Sequence, residues 1–174
     1  MPLDVRARPN PDEYDAYYAT YIALVPAGDL LAILRAQVAD VDAAFGAKAA
    51  RYAHASYAPD KWTLSEVLGH LIDSERVFTY RALAFARGEA APLPSFDQAA
   101  WSPYGQFNER SFDSLLDEWR TVRAHTISLV AGLPADALPR RGVASGNALS
   151  VQAALAIATG HVAYHLKLLR ERYV

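Results

Sequence analysis

His161 and His165 stand four residues apart in a row formed by Ala154, Ile157, Ala158, His161, His165 and Leu168, whose other members are apolar. On a helix that spacing puts both imidazoles on one face, with Cβ atoms about 5–6 Å apart. They can then converge on one metal ion at roughly 2.0–2.1 Å each. A bare His-x-x-x-His also arises by chance, but two imidazoles in an apolar setting need partners for their ring nitrogens. A third ligand has to come from a facing helix. His70, between Val67 and Ser74 at the edge of another apolar stripe, is placed for it. Three neutral ligands leave a divalent ion with open positions, the pattern of catalytic sites. Such an ion lowers the pKa of a bound water or thiol, or polarises a carbonyl. Imidazole ligands suit zinc, nickel, iron and copper alike; zinc or nickel is the favoured expectation, with iron, manganese and copper left open.

Other candidates are weaker. His54 and His125 read as surface or rim residues. Asp73 and Glu75 flank His70 closely; the plainer reading is a solvated, ion-paired face with Arg76, the functional one an orienter of the metal ligands or an acid/base. Glu66 reads as a capping residue. There is no glycine-rich phosphate loop, Gly142 to Gly146 reading as a turn, and no strand-to-helix elbow for a serine nucleophile. The chain has no cysteine, so thiolate ligands, disulfides and a cysteine nucleophile are ruled out; any thiol must arrive with a substrate.

The elements that must position these histidines are helical. The 174 residues are 52% hydrophobic and 21% charged, which suits one globular domain. An N-terminal arm over residues 1–28 carries Pro2, Pro9, Pro11, Pro26, Gly28 and four tyrosines (Tyr14, Tyr17, Tyr18, Tyr21), with a short helix expected over 12–21. The bundle spans 29–174. Its first helix starts at Asp29 and stops at Gly46, with Leu30, Leu31, Leu34, Val38, Val41 and Phe45 as its stripe. The second opens on Thr63-Leu64-Ser65-Glu66, a capping box, and ends near Arg87 before Gly88. The third runs from Ser111 to the Gly132-Leu133-Pro134 stop, burying Leu115, Leu116, Trp119, Val122, Thr126 and Leu129. The fourth runs from Ser150 to Arg172, leaving Tyr173 and Val174 as a tail. Between the second and third lies a long loop with Phe96, Trp101, Tyr104 and Phe107; a loop of this length usually forms a site wall. No β-alternation competes. The fold class is therefore all-α, a four-helix bundle whose long crossover argues against a simple up-down order.

The net charge of −2 gives no pull toward nucleic acid or an anionic membrane. Arg140-Arg141, the densest basic pair, reads as part of a loop. No stretch is apolar enough to span a bilayer and the start, Met1-Pro2-Leu3-Asp4, does not read as a leader, so the expected location is the cytoplasm.

The segment Lys61-Trp62-Thr63-Leu64-Ser65-Glu66-Val67-Leu68-Gly69-His70-Leu71-Ile72-Asp73-Ser74-Glu75-Arg76 resembles the signature of the DinB/YfiT-like superfamily of metal-dependent enzymes. Gly160-His161, His165-Leu166 and Leu169-Arg170-Glu171-Arg172-Tyr173 resemble its C-terminal signature. Arg8 to Tyr14, Tyr80-Arg81-Ala82-Leu83 and Pro92-Leu93-Pro94-Ser95-Phe96-Asp97 look like members of its DinB-like branch. The resemblance implies a four-helix bundle, a metal on His70, His161 and His165, and a homodimer. Characterised relatives join low-molecular-weight thiols to electrophiles or perform a thiol-dependent isomerisation. One departure bears on chemistry: an acidic residue and a further histidine often flank the fourth-helix ligands, and here those positions are Val162 and Tyr164. The resulting expectation is a metal-dependent thiol S-transferase or hydrolase, with a low-molecular-weight thiol and a small electrophile as partners. The alternatives are a non-catalytic metal-binding stress-response protein and a metal-free interaction bundle.

Overall fold

Thr63 opens the helix that carries His70 with a reciprocal pair of contacts. Its hydroxyl accepts from the Glu66 N–H at 3.1 Å, and the Glu66 carboxylate accepts from the Thr63 N–H at 2.7 Å. Asp29, Ser111 and Ser150 cap the other long helices one way only, each side chain accepting from a backbone N–H of the first turn. The computed structural model describes residues 8–173; residues 1–7 of the expected arm, Pro2 and the Met1–Asp4 start among them, and Val174 of the expected tail lie outside the described residues. The helices are α1 (Ala19–Ile22), α2 (Leu30–Tyr52), α3 (Leu64–Ala86), α4 (Gln98–Gly105), α5 (Phe112–Ala131) and α6 (Val151–Arg172).

The four long helices form the bundle. α3 packs chiefly on α6 and α5, and α2 packs on α5 and α6. Around the bundle the order is therefore α2, α5, α3, α6, with the consecutive pair α2 and α3 across a diagonal. α6 is central, and Ala153 to Val162 are buried all round. Small residues there let the neighbouring helices approach closely.

The core has two apolar halves. One gathers Leu34, Phe85, Val130 and Leu155; the other gathers Phe45, Leu68, Trp119 and Leu169. A polar layer lies between them in sequence on every long helix. Arg123, fully buried on α5, meets Glu75 on α3, with Nε 3.0 Å from Oε1 and Nη2 donating to Oε2 at 3.1 Å. Its Nη1 donates to Gln37 Oε1 on α2 at 2.9 Å, and Gln37 Nε2 donates to the Thr159 carbonyl on α6 at 2.9 Å. One chain of contacts thus touches all four long helices. This corrects the reading of Glu75 as solvated: Asp73 and Arg76 form the surface pair at 3.5 Å, while Glu75 is 2% exposed.

Other differences have local causes. α2 does not stop at Gly46 but runs to Tyr52, because Phe45 and Tyr52 are both buried and bring the helix past it. A Cβ at Gly46 would meet nothing within 4 Å. Gly46→Ala is therefore expected to stabilise the protein by about 0.5–1 kcal/mol, read as a higher urea midpoint with unchanged slope. The arm forms two 3-10 turns (Pro11–Glu13 and Ala16–Tyr18) and the short α1 in place of one helix. The long loop holds α4 and a 3-10 turn at Phe107–Glu109. Gly142 to Gly146 is more than a turn: β1 (Arg141–Ala144) pairs with β2 (Asn147–Ser150) across Ser145-Gly146. Both turn residues have positive φ, 54° and 79°, the conformation of a tight hairpin turn. Arg140 and Arg141 are engaged by Asp136 at 2.7 Å and Asp12 at 2.9 Å. Among the described residues no helix is long and apolar enough to cross a membrane.

Candidate metal centre

His70 lies on α3 and His161 and His165 lie on α6, the two helices with the most extensive mutual contact. All three side chains are buried, and their ligand atoms lie within 4.8 Å of one another. His161 Nε2 is 2.9 Å from His70 Nε2 and 3.1 Å from His165 Nε2. The three histidines singled out in the sequence are thus brought together. His54 and His125 are exposed and take no part.

Two glycines let other segments close over this cluster. A Cβ at Gly160 would come within 2.0 Å of the Tyr21 carbonyl oxygen, so α1 can rest on α6 beside His161 only because residue 160 has no side chain. A Cβ at Gly69 would strike the Phe107 ring at 2.3 Å, so the loop after α4 packs against α3 beside His70 on the same terms. Tyr21 meets the His161 ring edge-on at 5.3 Å, and Trp62 lies 4.9 Å from the His70 ring. Tyr164 packs against Tyr21 at 5.2 Å and His165 at 5.4 Å.

Ser74 orients His70: its Oγ is 3.3 Å from Nδ1. When that nitrogen carries the proton, Nε2 presents its lone pair to the cluster. Neither Asp73 nor Glu75 fills this role. Ser74 is one helical turn beyond His70, and that spacing was the available signal. The Tyr17, Tyr18 and Tyr21 walls had no such signal, since they come from the arm, far away in sequence.

Burial keeps the rings neutral. It pulls His70 down to about 4 and, with the charge of His70 adding to it, His165 to about 3. His161 is held well below its ordinary value by burial and then by the two neighbouring rings. In the metal-free protein the unfolded chain, with histidines near 6.5, binds more protons than the folded one on the acid side. Stability from these rings is therefore present above about pH 6.5 and is lost as pH falls toward 4. Chelator-treated protein should show a falling Tm between pH 7.5 and 5, where few carboxylates titrate; a flat profile would contradict it.

The donor set fits a cation. A neutral imidazole offers one N–H and one lone pair. To satisfy both contacts with protons alone, His161 Nε2 would have to share one proton or one lone pair between two partners. A single cation satisfies three lone pairs together. At bonds of about 2.0–2.1 Å, ligand nitrogens at right angles stand roughly 2.9 Å apart and tetrahedral ones roughly 3.4 Å. The 2.9 and 3.1 Å separations at His161 fall in that interval. No carboxylate joins the cluster among the described residues.

The cluster borders two cavities. His161 lines one of about 400 Å³ with Tyr17, Tyr18, Tyr21, Phe78 and Phe96. His165 lines another of about 210 Å³ with Tyr57, Lys61, Trp62 and Tyr173. Of the loop aromatics expected at the entrance only Phe96 lines the first cavity. Trp101 packs on Phe96 at 5.3 Å, and Tyr104 is 89% exposed. Tyr173 is no loose tail: it is 2% exposed and its hydroxyl donates to the Trp62 carbonyl at 2.7 Å.

Comparison with solved structures finds a protein of Bacillus subtilis, YfiT, described as a probable metal-dependent hydrolase with an unusual four-helix bundle topology. The two share 17% identity at a TM-score of 0.73, over 95% of this chain and 90% of that one, so the likeness is one of fold. No curated protein matches. The DinB superfamily matches residues 33–169, a span that holds α3 and α5 whole, most of α2 and α6, and all three clustered histidines. The chain belongs to the DinB superfamily.

Proposed function

We propose that the protein is a divalent-metal-dependent enzyme that directs a small nucleophile at a compact electrophile. The observation that carries this reading is the convergence of three neutral imidazole nitrogens, without a carboxylate, at the border of two cavities. His70, His161 and His165 would hold the ion, and it would supply Lewis acidity that lowers the pKa of a coordinated water or thiol. The chain itself does the rest. Ser74 contacts His70 Nδ1 and steadies that ring, and Tyr21 and Trp62 shield the rings from water. The aromatic walls favour an apolar or aromatic electrophile.

Between water and a low-molecular-weight thiol as nucleophile, two features favour the thiol. Two cavities, each touching a different ligand, suit two substrates. The cluster also has no carboxylate to take a proton from water, whereas a thiol close to its own pKa needs less help. In that reaction sulfur bonds to the electrophilic carbon as the bond from that carbon to halide or epoxide oxygen breaks. A halide departs with the electron pair and the thiol proton passes to solvent, whereas an epoxide oxygen keeps the pair and takes up a proton in place of the one the thiol gave up. Hydrolysis is the second reading, supported by the description given to YfiT.

The test is a turnover panel on untagged protein, metal-analysed, then chelated and reloaded with zinc or nickel. It pairs glutathione, cysteine or coenzyme A with epoxides and aryl halides, and runs activated esters and amides without thiol. Thiol-dependent, metal-restored turnover supports S-transfer; turnover of esters or amides without thiol supports hydrolysis. One equivalent of metal with no turnover in either arm would leave a non-catalytic metal-binding protein and overturn the proposal, and protein that takes up no metal would overturn it in favour of a metal-free bundle.

A further inference from the structure

Two buried arginines face different circumstances. Arg123 has Glu75 as counter-charge. Arg81, on α3 and 2% exposed, has no carboxylate within ion-pair distance among the described residues. Its Nη2 donates to the Pro94 carbonyl and to Ser145 Oγ, both at 2.9 Å, which uses both protons of that nitrogen. The guanidinium borders a cavity of about 210 Å³ whose wall also holds Asp15, Tyr17, Tyr18, Ser145 and Asn147. Arg81 also meets the Tyr18 hydroxyl and the Phe78 and Phe96 rings. Asp15 in the same wall stands beyond ion-pair distance, and a buried cation with no carboxylate in direct contact is costly unless something supplies one.

This cavity adjoins the one at His161. Tyr17 and Tyr18 line both. The Arg81 guanidinium carbon lies 5.4 Å from the Phe78 ring centre and 5.6 Å from that of Phe96, and both rings line the His161 cavity. The two cavities thus share Tyr17 and Tyr18 as lining, and Phe78 and Phe96 stand beside both Arg81 and the His161 cavity.

We propose that Arg81 recognises a small-molecule carboxylate and that, on the enzyme reading above, this carboxylate is the anionic end of the substrate whose reacting end faces the histidine cluster. A single guanidinium matches a monoanion. A phosphate dianion would call for a second cation, and the other charged group in this wall is Asp15, which opposes added negative charge. Asp15 accepts from the Tyr17 N–H at 2.8 Å, so its place is set by the turn it caps.

The test is binding of benzoate, and of its neutral isostere benzamide, to the metal-loaded protein by calorimetry. Wild type is expected to prefer benzoate by about tenfold or more. Asp15→Asn keeps an acceptor for the Tyr17 N–H and removes the opposing charge, so it should widen the preference. Arg81→Gln should abolish it. Equal affinities in wild type would overturn the proposal. So would a preference that neither substitution changes, since the carboxylate would then sit on the metal, or inorganic phosphate displacing benzoate as the tighter ligand. If Arg81→Gln fails to fold, the Asp15→Asn result decides alone. The measurement needs no turnover: a charge preference in a protein that turns over nothing would leave the carboxylate site standing and the enzyme reading overturned.

Discussion

Arg123→Met is expected to destabilise the protein by about 3–5 kcal/mol, the range for breaking one side of a buried ion pair. The arginine is fully buried, lies over the Trp119 ring at 4.7 Å, and donates to Glu75 and Gln37. Burial lowers its pKa and Glu75 pulls it back up. Methionine replaces the stem but leaves the Glu75 carboxylate buried without a counter-charge and the Gln37 carbonyl oxygen without its donor. The cost lies mainly in those stranded groups. The double variant Arg123→Met with Glu75→Leu, which removes both charges, should therefore recover most of the loss. Urea unfolding followed by circular dichroism measures both. A single variant within about 1 kcal/mol of wild type would show that the pair does not hold the four helices in register.

This polar layer also marks where sequence patterning stops. Leu64, Leu68, Leu71, Phe78, Ala82 and Phe85 are spaced in the sequence as one apolar face of α3, which patterning reports directly, and every one is buried. Thr63 and Glu66 were legible because a capping box is local chemistry. Glu75 and Arg123 were not. A carboxylate beside Asp73 and Arg76 has the look of a solvated face, and its partner lies 48 residues away on another helix. The hairpin escaped for another reason: strands of four residues are too short to show alternation, and their turn, Ser145-Gly146, reads as any turn. α2 beyond Gly46 was masked by a glycine that packing overrides. At the histidine cluster the spacing of His161 and His165 placed a pair on one face of α6. That His70 approaches the same point depends on how α3 crosses α6, which periodicity does not encode; the family resemblance carried that step.

His161→Ala is expected to abolish tight metal binding and, with it, the rise in Tm that metal gives to wild type. His161 Nε2 is the shared neighbour of the other two, at 2.9 Å from His70 and 3.1 Å from His165. Its loss leaves two ligands from two different helices. A ligand that binds only the folded state stabilises it by RT ln(1 + [L]/Kd), about 4 kcal/mol at a thousandfold excess over Kd. Wild type should therefore gain several degrees on zinc or nickel addition and the variant almost none. The metal-free proteins should differ in the opposite sense near pH 5. The variant lacks a ring that burial keeps from taking its proton, so its stability falls less steeply as pH drops from about 7 to 5. Tyr164→Phe is the control. Tyr164 packs by its ring face and edge against Tyr21 and His165, so losing the hydroxyl should leave the metal-induced shift intact. Thermal scans of the three proteins, with and without metal at two pH values, separate the cases. A full shift in His161→Ala would mean that the metal binds elsewhere on the chain.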